Sequence, residues 1–341
     1  MMLHFESDYA KGACKEVLEV IMKTNDEYLD SYGFDKYTMS AKEKILKKCN
    51  IKNGDVYLIS AGTQTNAVSI DYLLKTYEGV ISTDCGHIAT HEAGAIEYTG
   101  HKVITIKNKE GKLVPNDLRK YLLDFYNDKS NYHYVKPGTV YLTHPTEYGT
   151  LYTKEEIKEI YEICSNYDIS IFLDGARLGY ALACEENDLS LEDIAKYCSC
   201  FYIGGAKVGA LFGEAVVFTK KEEKYFRQFI KGHGALLAKG RLLGIQFDTL
   251  FTDNLYFDIA KNAIDMAELL KKGLADKGYK FYLDSPTNQQ FIILENSKMN
   301  ELSKYVRFSF WEKYNDSHTV VRFATSWATK REDVESLIAL L

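Results

Sequence analysis

Short apolar runs alternate with amphipathic stretches through the middle of the chain, and that alternation predicts its architecture. The runs at 55–60, 79–82, 102–106, 139–143, 169–173, 199–203 and 215–218 are bounded by turn-forming or polar residues and read as strands. Between several of them the apolar positions recur at helical spacing. The stretch 65–75 places Ala67, Ile70, Leu73 and Leu74 on one face; KEEIKEIYEIC, capped by Thr153, does the same with Ile157, Ile160, Tyr161 and Cys164. Strand and helix alternating from about 55 to 220 predict an α/β fold with a mostly parallel central sheet covered on both faces.

The two ends read differently. One short helix is predicted at 16–23, and Ser40 with Glu43 makes a capping-box pattern that predicts a helix start at 40. From Glu222 to about Gly278 the spacing is helical; short strands follow near 280–282, 291–294 and 320–323, then a last helix from near Lys330. Strands and helices grouped in this way predict a smaller C-terminal α+β domain. The expected division is an N-terminal segment 1–38 that joins the small domain and the active site, a large α/β domain 39–235 and the small domain 236–341.

Bulk properties remove some classes of function. With 341 residues, 46% of them hydrophobic and only four prolines, the chain has material for a large core and lacks a linker. A net charge of −6 gives no general attraction to nucleic acid or anionic membrane. No apolar run is long enough for a membrane span, and the first residues lack the pattern of a secretory signal. Seven cysteines without CxxC spacing suit reduced thiols, so a cytoplasmic location is expected.

Asp174 follows the apolar run ISIFL, at the carboxyl end of a predicted strand, where open α/β sheets bind ligands. Lys207 follows the run SCFYI by four residues, between Gly204-Gly205 and Gly209. An amine so lightly crowded can approach a ligand and, once neutral, condense with an aldehyde. Each also has a plain structural reading, as a turn residue or a solvated loop lysine. A nucleotide-phosphate loop is a further alternative, although Val208 stands where that pattern needs Ser or Thr. AGTQTN, from Ala61, joins a strand to a helix start, so backbone N–H groups and the hydroxyls of Thr63 and Thr65 form either an anion site or a simple cap. His87 and His91 share a helix face, but neither zinc-protease pattern surrounds them, so no metal is expected. Arg322, in VVRFATSW, either pairs within the chain or grips a ligand carboxylate.

Nine stretches in one order span almost the whole chain: FESDYAKGA, SYGFDKYT, AGTQTNA, GHIATHEAGAIE, HPTEYGTLYTKEE, FLDGARLGYAL, GGAKVGALFGEAVVF, LAKGRLLGIQF and VRFATSWAT. Through them the chain resembles the low-specificity L-threonine aldolases, members of the β-eliminating lyase group within the fold-type-I pyridoxal-phosphate enzymes. The resemblance implies that fold, pyridoxal 5'-phosphate as cofactor, and cleavage of a β-hydroxy-α-amino acid to glycine and an aldehyde. It implies Lys207 as the Schiff-base lysine, Asp174 as the partner of the pyridine nitrogen, Gly62 and Thr63 at the phosphate, His87 stacked on the ring, and Arg177 close to the cofactor and substrate. Ser7 and Arg322 correspond to residues that hold the substrate carboxylate. Tyr32, Lys239 and Arg241 lie in stretches that reach a neighbouring subunit's cofactor, which implies a homodimer or homotetramer.

His87 is the expected base for the β-hydroxyl proton. One departure stands at the lysine turn, where many relatives have GGTKNG and this chain has Ala206 and Val208. Other reactions on the same cofactor, such as β-elimination, racemisation or transamination, are the alternatives within the class.

Overall fold

Seven strands of the computed structural model, which describes residues 2–220 and 225–341, form one central sheet. In chain order the strands are β1 (Leu3–His4), β2 (Asp55–Ile59), β3 (Glu78–Thr83), β4 (Val103–Ile106), β5 (Lys136–Thr143), β6 (Ser170–Asp174), β7 (Cys200–Gly204), β8 (Glu214–Phe218), β9 (Gln289–Glu295), β10 (Val306–Arg307), β11 (Ser309–Lys313) and β12 (His318–Ala324). The central sheet runs in the order β2-β8-β7-β6-β5-β3-β4. Strands β3 to β7 pair in parallel, whereas β8 is antiparallel to both β7 and β2. Every residue of β3, β7 and β8 is buried, as in strands covered on both faces.

Both faces of this sheet carry core. Leu142, Ile171, Leu173 and Val217 pack with the helix Lys154–Ser165 on one side. Ile59, Tyr141, Phe172, Tyr202 and Val216 pack with the helix Gly62–Leu73 on the other. A smaller antiparallel sheet, β11-β12-β9, covers a third cluster that includes Phe5, Leu270, Val321, Phe323 and Val334. The chain start belongs to this end of the molecule, because β1 pairs with β10 and Ala324 donates its N–H to the Phe5 carbonyl. The helix Arg241–Leu250 and the first half of the helix Leu255–Asp276 pack into the large core through Phe247, Leu250, Tyr256 and Ala260.

Several element boundaries differ from the sequence reading. The helix expected to start at Ser40 spans Lys36–Lys48; its cap is Asp35, which accepts from the Thr38 N–H and hydroxyl. The helix expected at 65–75 begins at Gly62. The helical region expected from Glu222 is three helices, Phe226–Gly232, Arg241–Leu250 and Leu255–Asp276, and its predicted start lies outside the described residues. The strand expected at 280–282 is reduced to a single bridge between Phe281 and Ile292. A helix at Pro115–Asn127 and the edge strand β11 had no counterpart in the sequence reading.

This topology gathers the loops that matter. The turns after β2, β3, β5, β6 and β7 leave from the carboxyl ends of strands that point the same way, and the start of antiparallel β8 lies at that same edge. A crevice outside the carboxyl ends of such a sheet is the expected ligand site.

Candidate active site

A cavity of about 500 Å³ opens at this edge, lined by residues from each of those turns. The turn after β2 contributes Ser60 to Thr63, that after β3 His87 and His91, and that after β5 Thr143, Pro145 and Glu147. Asp174, Ala176 and Arg177 follow β6, and Ala206 and Lys207 follow β7. Glu214, the first residue of β8, closes the floor. A second, outer cavity of about 400 Å³ is lined by six of the same residues, Tyr9, His87, His91, Glu147, Arg177 and Lys207, together with Trp311 and Arg322.

Asp174 is buried and still ionised. Burial alone would push its pKa up, but the charge of His87, the hydroxyls of Tyr141 and Tyr202 and the Ala176 N–H outweigh it and hold the carboxyl below its ordinary value. The Asn66 amide adds a fourth donor at 3.0 Å. The sheet supplies the two phenols. Tyr141 is two residues before Thr143, the cross-strand neighbour of Asp174 on β5, and so faces the same side; Tyr202 comes from β7 on the other flank. The turn beside Asp174 is fixed by close backbone approach, since a Cβ on Gly175 would stand 2.0 Å from the Tyr202 carbonyl.

Lys207 lines the same cavity as Asp174, whose charge reaches it. Burial, then the charge of Arg177, lower its pKa against the pull of Asp8, Glu147 and Asp174, which favours the neutral, nucleophilic amine. Its own carbonyl accepts from the Tyr180 hydroxyl, which fixes the turn from below. Ala206 lines the cavity, whereas Val208 is fully buried in the large core, so only one of the two departures at this turn faces a ligand.

His87 is set by a buried chain of bonds: its Nδ1 lies 2.7 Å from Glu92 Oε1, which also accepts from Asn66 at 2.6 Å. Burial opposes its charge, but the hydrogen bond to Glu92 and the negative charges of Glu147 and Asp174 prevail and raise its pKa. Its ring stacks on that of His91, with centroids 5.6 Å apart, and His91 in turn stacks on Trp311 at 6.5 Å.

Two arginines stand on the outer wall. Asp8 holds Arg177 in a buried bidentate pair, 2.6 Å to Nε and 3.1 Å to Nη2. Arg322 donates to Gln289 at 2.8 Å, to Ser309 at 3.1 Å and to the Glu6 carbonyl at 3.2 Å, and its Nε is buried with no partner among the described residues. Burial and the Arg177 charge depress the pKa of Arg322, a strain that an anion between the two guanidinium groups relieves. Ser7 is half-buried on the strap between Glu6 and Asp8, the residues that touch these two arginines.

At the opposite end Gly62 and Thr63 line the cavity at a helix start. The first intrahelical bond is Thr65 to Ala61, so the N–H groups of Gly62, Thr63 and Gln64 precede it. Thr65 itself is fully buried and does not line the cavity, contrary to its expected place beside Thr63. Tyr32, Lys239 and Arg241 line neither cavity within their own chain. They lie together elsewhere: the Tyr32 N–H donates to Ala238, and Arg241 holds the carbonyls of Glu27 and Thr24.

The family model for β-eliminating lyases matches residues 4–297. The chain belongs to the β-eliminating lyase family. Within it, a low-specificity L-threonine aldolase of Pseudomonas sp. (strain NCIMB 10558) is 30% identical over 98% of this chain and 96% of its own length. The threonine aldolase of Leishmania major superposes with a TM-score of 0.96 at 39% identity, over 99% of this chain and 98% of that one. A Thermus thermophilus aspartate aminotransferase superposes with a TM-score of 0.72 at 14% identity, over 99% of this chain and 90% of that one. That last likeness shows the fold alone, that of the fold-type-I enzymes, as expected.

Enzymes of this family depend on pyridoxal phosphate, and the residues present fit that group. The cavity has a desolvated amine at one wall, an ionised carboxylate at another and free N–H groups at a helix start. A Cβ at Gly62 would stand 3.6 Å from Tyr202 Oη and 3.8 Å from Glu214 Oε1, so glycine keeps that end of the cradle open. Sequence reasoning missed Asp8, Asn66, Tyr141, Tyr202, Glu92, Glu147 and Glu214. Glu214 alone carried a local signal, an acid at the head of the apolar run AVVF.

Proposed function

We propose that this protein is a pyridoxal-phosphate-dependent L-threonine aldolase, which cleaves L-threonine, L-allo-threonine or a related β-hydroxy-α-amino acid to glycine and an aldehyde. The observation that carries this reading is the convergence of Lys207 and Asp174 on one cavity whose outer wall holds Arg177 and Arg322. Family membership and the likeness to two threonine aldolases support it.

Bound pyridoxal phosphate supplies an aldehyde for the substrate's amino group and a conjugated ring that accepts the electron pair released at Cα. Lys207 would hold the group through its Nζ, and its lowered pKa keeps that amine reactive. Asp174, ionised, would favour a proton on the nitrogen of a bound pyridine ring, because an adjacent negative charge favours the protonated form. The N–H groups of Gly62, Thr63 and Gln64 would hold the phosphate, and His87 would take the ring. Arg322, assisted by Ser7 and Arg177, fixes the substrate carboxylate, and this orientation selects which bond at Cα breaks. Trp311 and His91, stacked over the outer cavity, keep water from the reacting atoms.

Tyr32, Lys239 and Arg241 act at a neighbouring subunit's cofactor in a homodimer or homotetramer, and the enzyme works in the cytoplasm. The test is product analysis after incubation with cofactor and a panel of β-hydroxy amino acids. Glycine and the matching aldehyde are expected from L-threonine. Ammonia with a keto acid, the opposite enantiomer, or a new amino acid assigns the chain to another reaction of the same cofactor.

A further inference from the structure

Cleavage of a β-hydroxy amino acid needs a group that takes the hydroxyl proton, and the arrangement around His87 leaves that role open. His87 already gives Nδ1 to Glu92, and the surrounding negative charge favours its protonated form. A raised pKa increases the share of His87 that already carries the proton, and that share cannot accept another. A different side chain has the needed features.

Glu147 follows β5 by four residues and is half-buried at the junction of the two cavities. Of the residues lining both, it is the one carboxylate among the described residues. The other acids of the two cavities and their surround each accept at least one hydrogen bond. Asp8 is held by Arg177 and Asn288, Asp174 by four donors, Glu92 through Oε1 by His87 and Asn66, Glu214 through Oε2 by the Gly205 N–H, Asp84 by Asn108 and Glu312 by Tyr282. No hydrogen bond or ion pair reaches the Glu147 carboxylate among the described residues. Its charge nonetheless acts on His87, Arg177, Lys207 and Arg322, so it lies within electrostatic reach of the amine, of the expected carboxylate grip and of the ring-facing imidazole. An uncommitted acceptor there has lone pairs free for a ligand hydroxyl.

We propose that Glu147 is the catalytic base that takes the substrate's β-hydroxyl proton, an inference that rests on the aldolase reading above. In the step, the O–H bond breaks and a carboxyl O–H bond forms on Glu147. The freed pair becomes the second C–O bond of the aldehyde as Cα–Cβ breaks. The Cα–Cβ pair stays with the glycine fragment, delocalised by the bound cofactor, until a proton returns to Cα. The sum releases and consumes no proton.

The test uses the holoenzyme and the variant Glu147→Gln, which keeps size and hydrogen-bonding capacity but removes the base. Two reactions are measured: L-threonine cleavage, and exchange of the glycine Cα proton in deuterium oxide, which involves no hydroxyl. The expected result is unchanged cofactor absorbance, glycine exchange within about threefold of wild type, and a fall in kcat for cleavage of about 100-fold or more. Glu147→Asp, which retains a carboxylate, is expected to recover part of the loss. A variant that cleaves threonine within about threefold of wild type overturns the proposal, as does an equal loss of exchange and cleavage, which marks a structural role. A wild-type enzyme that exchanges glycine but cleaves no β-hydroxy amino acid overturns the aldolase reading and this inference with it.

Discussion

Lys207 is held where it costs stability. A lysine whose pKa is lower in the folded chain than its ordinary value of 10.5 binds fewer protons when folded, so folding weakens as pH falls below that value. In the cofactor-free protein, Lys207→Met is therefore expected to raise the melting temperature at pH 7, with the gain shrinking as pH rises toward 10.5. Thermal scans across pH check this; a variant that melts lower at pH 7 contradicts it. If Arg322 grips the substrate carboxylate as proposed, Arg322→Ala removes a charge-assisted contact, and a rise in KM of roughly 10- to 100-fold is expected from the loss of about 1.5–3 kcal/mol. An unchanged KM counts against that contact. At this scale Asp174 and Lys207 were legible because their positions relative to strand ends carry chemical meaning. Tyr141 and Tyr202 were not, since a tyrosine in a buried strand looks like core until the neighbouring strand places a carboxylate beside its hydroxyl.

Elements with strong local cues were read correctly, and those with conflicting cues were not. Thr153 caps the helix Lys154–Ser165 as expected, and Glu156 makes the cap reciprocal; the helix packs against β6. Thr153→Ala is expected to cost about 1 kcal/mol and leave kcat unchanged. Denaturant unfolding of the holoenzyme measures the first and a threonine assay the second; an unaltered midpoint contradicts the cap's role. Ser40 with Glu43 imitates such a cap, but Asp35 takes the position because Thr38 and Ala41 are buried, and Thr38 lies against Gly244. A Cβ on Gly244 would stand 2.3 Å from Thr38 Oγ1, so tertiary packing fixed the helix start five residues earlier than the Ser40 pattern allows. The helix Pro115–Asn127 escaped detection because it buries only Leu118 and Leu122, a stripe too thin to register as a period. Proline at its first position and Asp117 in its first turn were the available signs.

The whole molecule brings distant parts of the sequence to one site. Asp8 reaches Arg177 across 169 positions, and the Glu6 carbonyl meets Arg322 across 316, so the chain start acts as a strap between the small sheet and the cavity. The alternation of strands and helices announced the large sheet, but no local pattern announced β1 or β10, which exist only through their pairing with each other. The grouping of Tyr32, Lys239 and Arg241 away from their own cavity gives the subunit-sharing proposal a direct test. Lys239 is exposed, so its replacement by Ala is expected to leave the fold intact; Lys239→Ala and Lys207→Ala are each expected to be impaired, while remixed subunits regain about a quarter of wild-type activity if each site draws on two chains in a dimer. Activity that never exceeds that of the separate variants contradicts a shared site.

The central claim is that Lys207 binds pyridoxal phosphate through its side-chain amine. Borohydride reduction of the protein with added cofactor, followed by mass spectrometry of its peptides, tests this most directly. The account predicts one reduced pyridoxyl adduct per chain, on the peptide that contains Lys207, and its loss when a substrate amino acid is present before reduction. An adduct on a different lysine, or none at all, contradicts it.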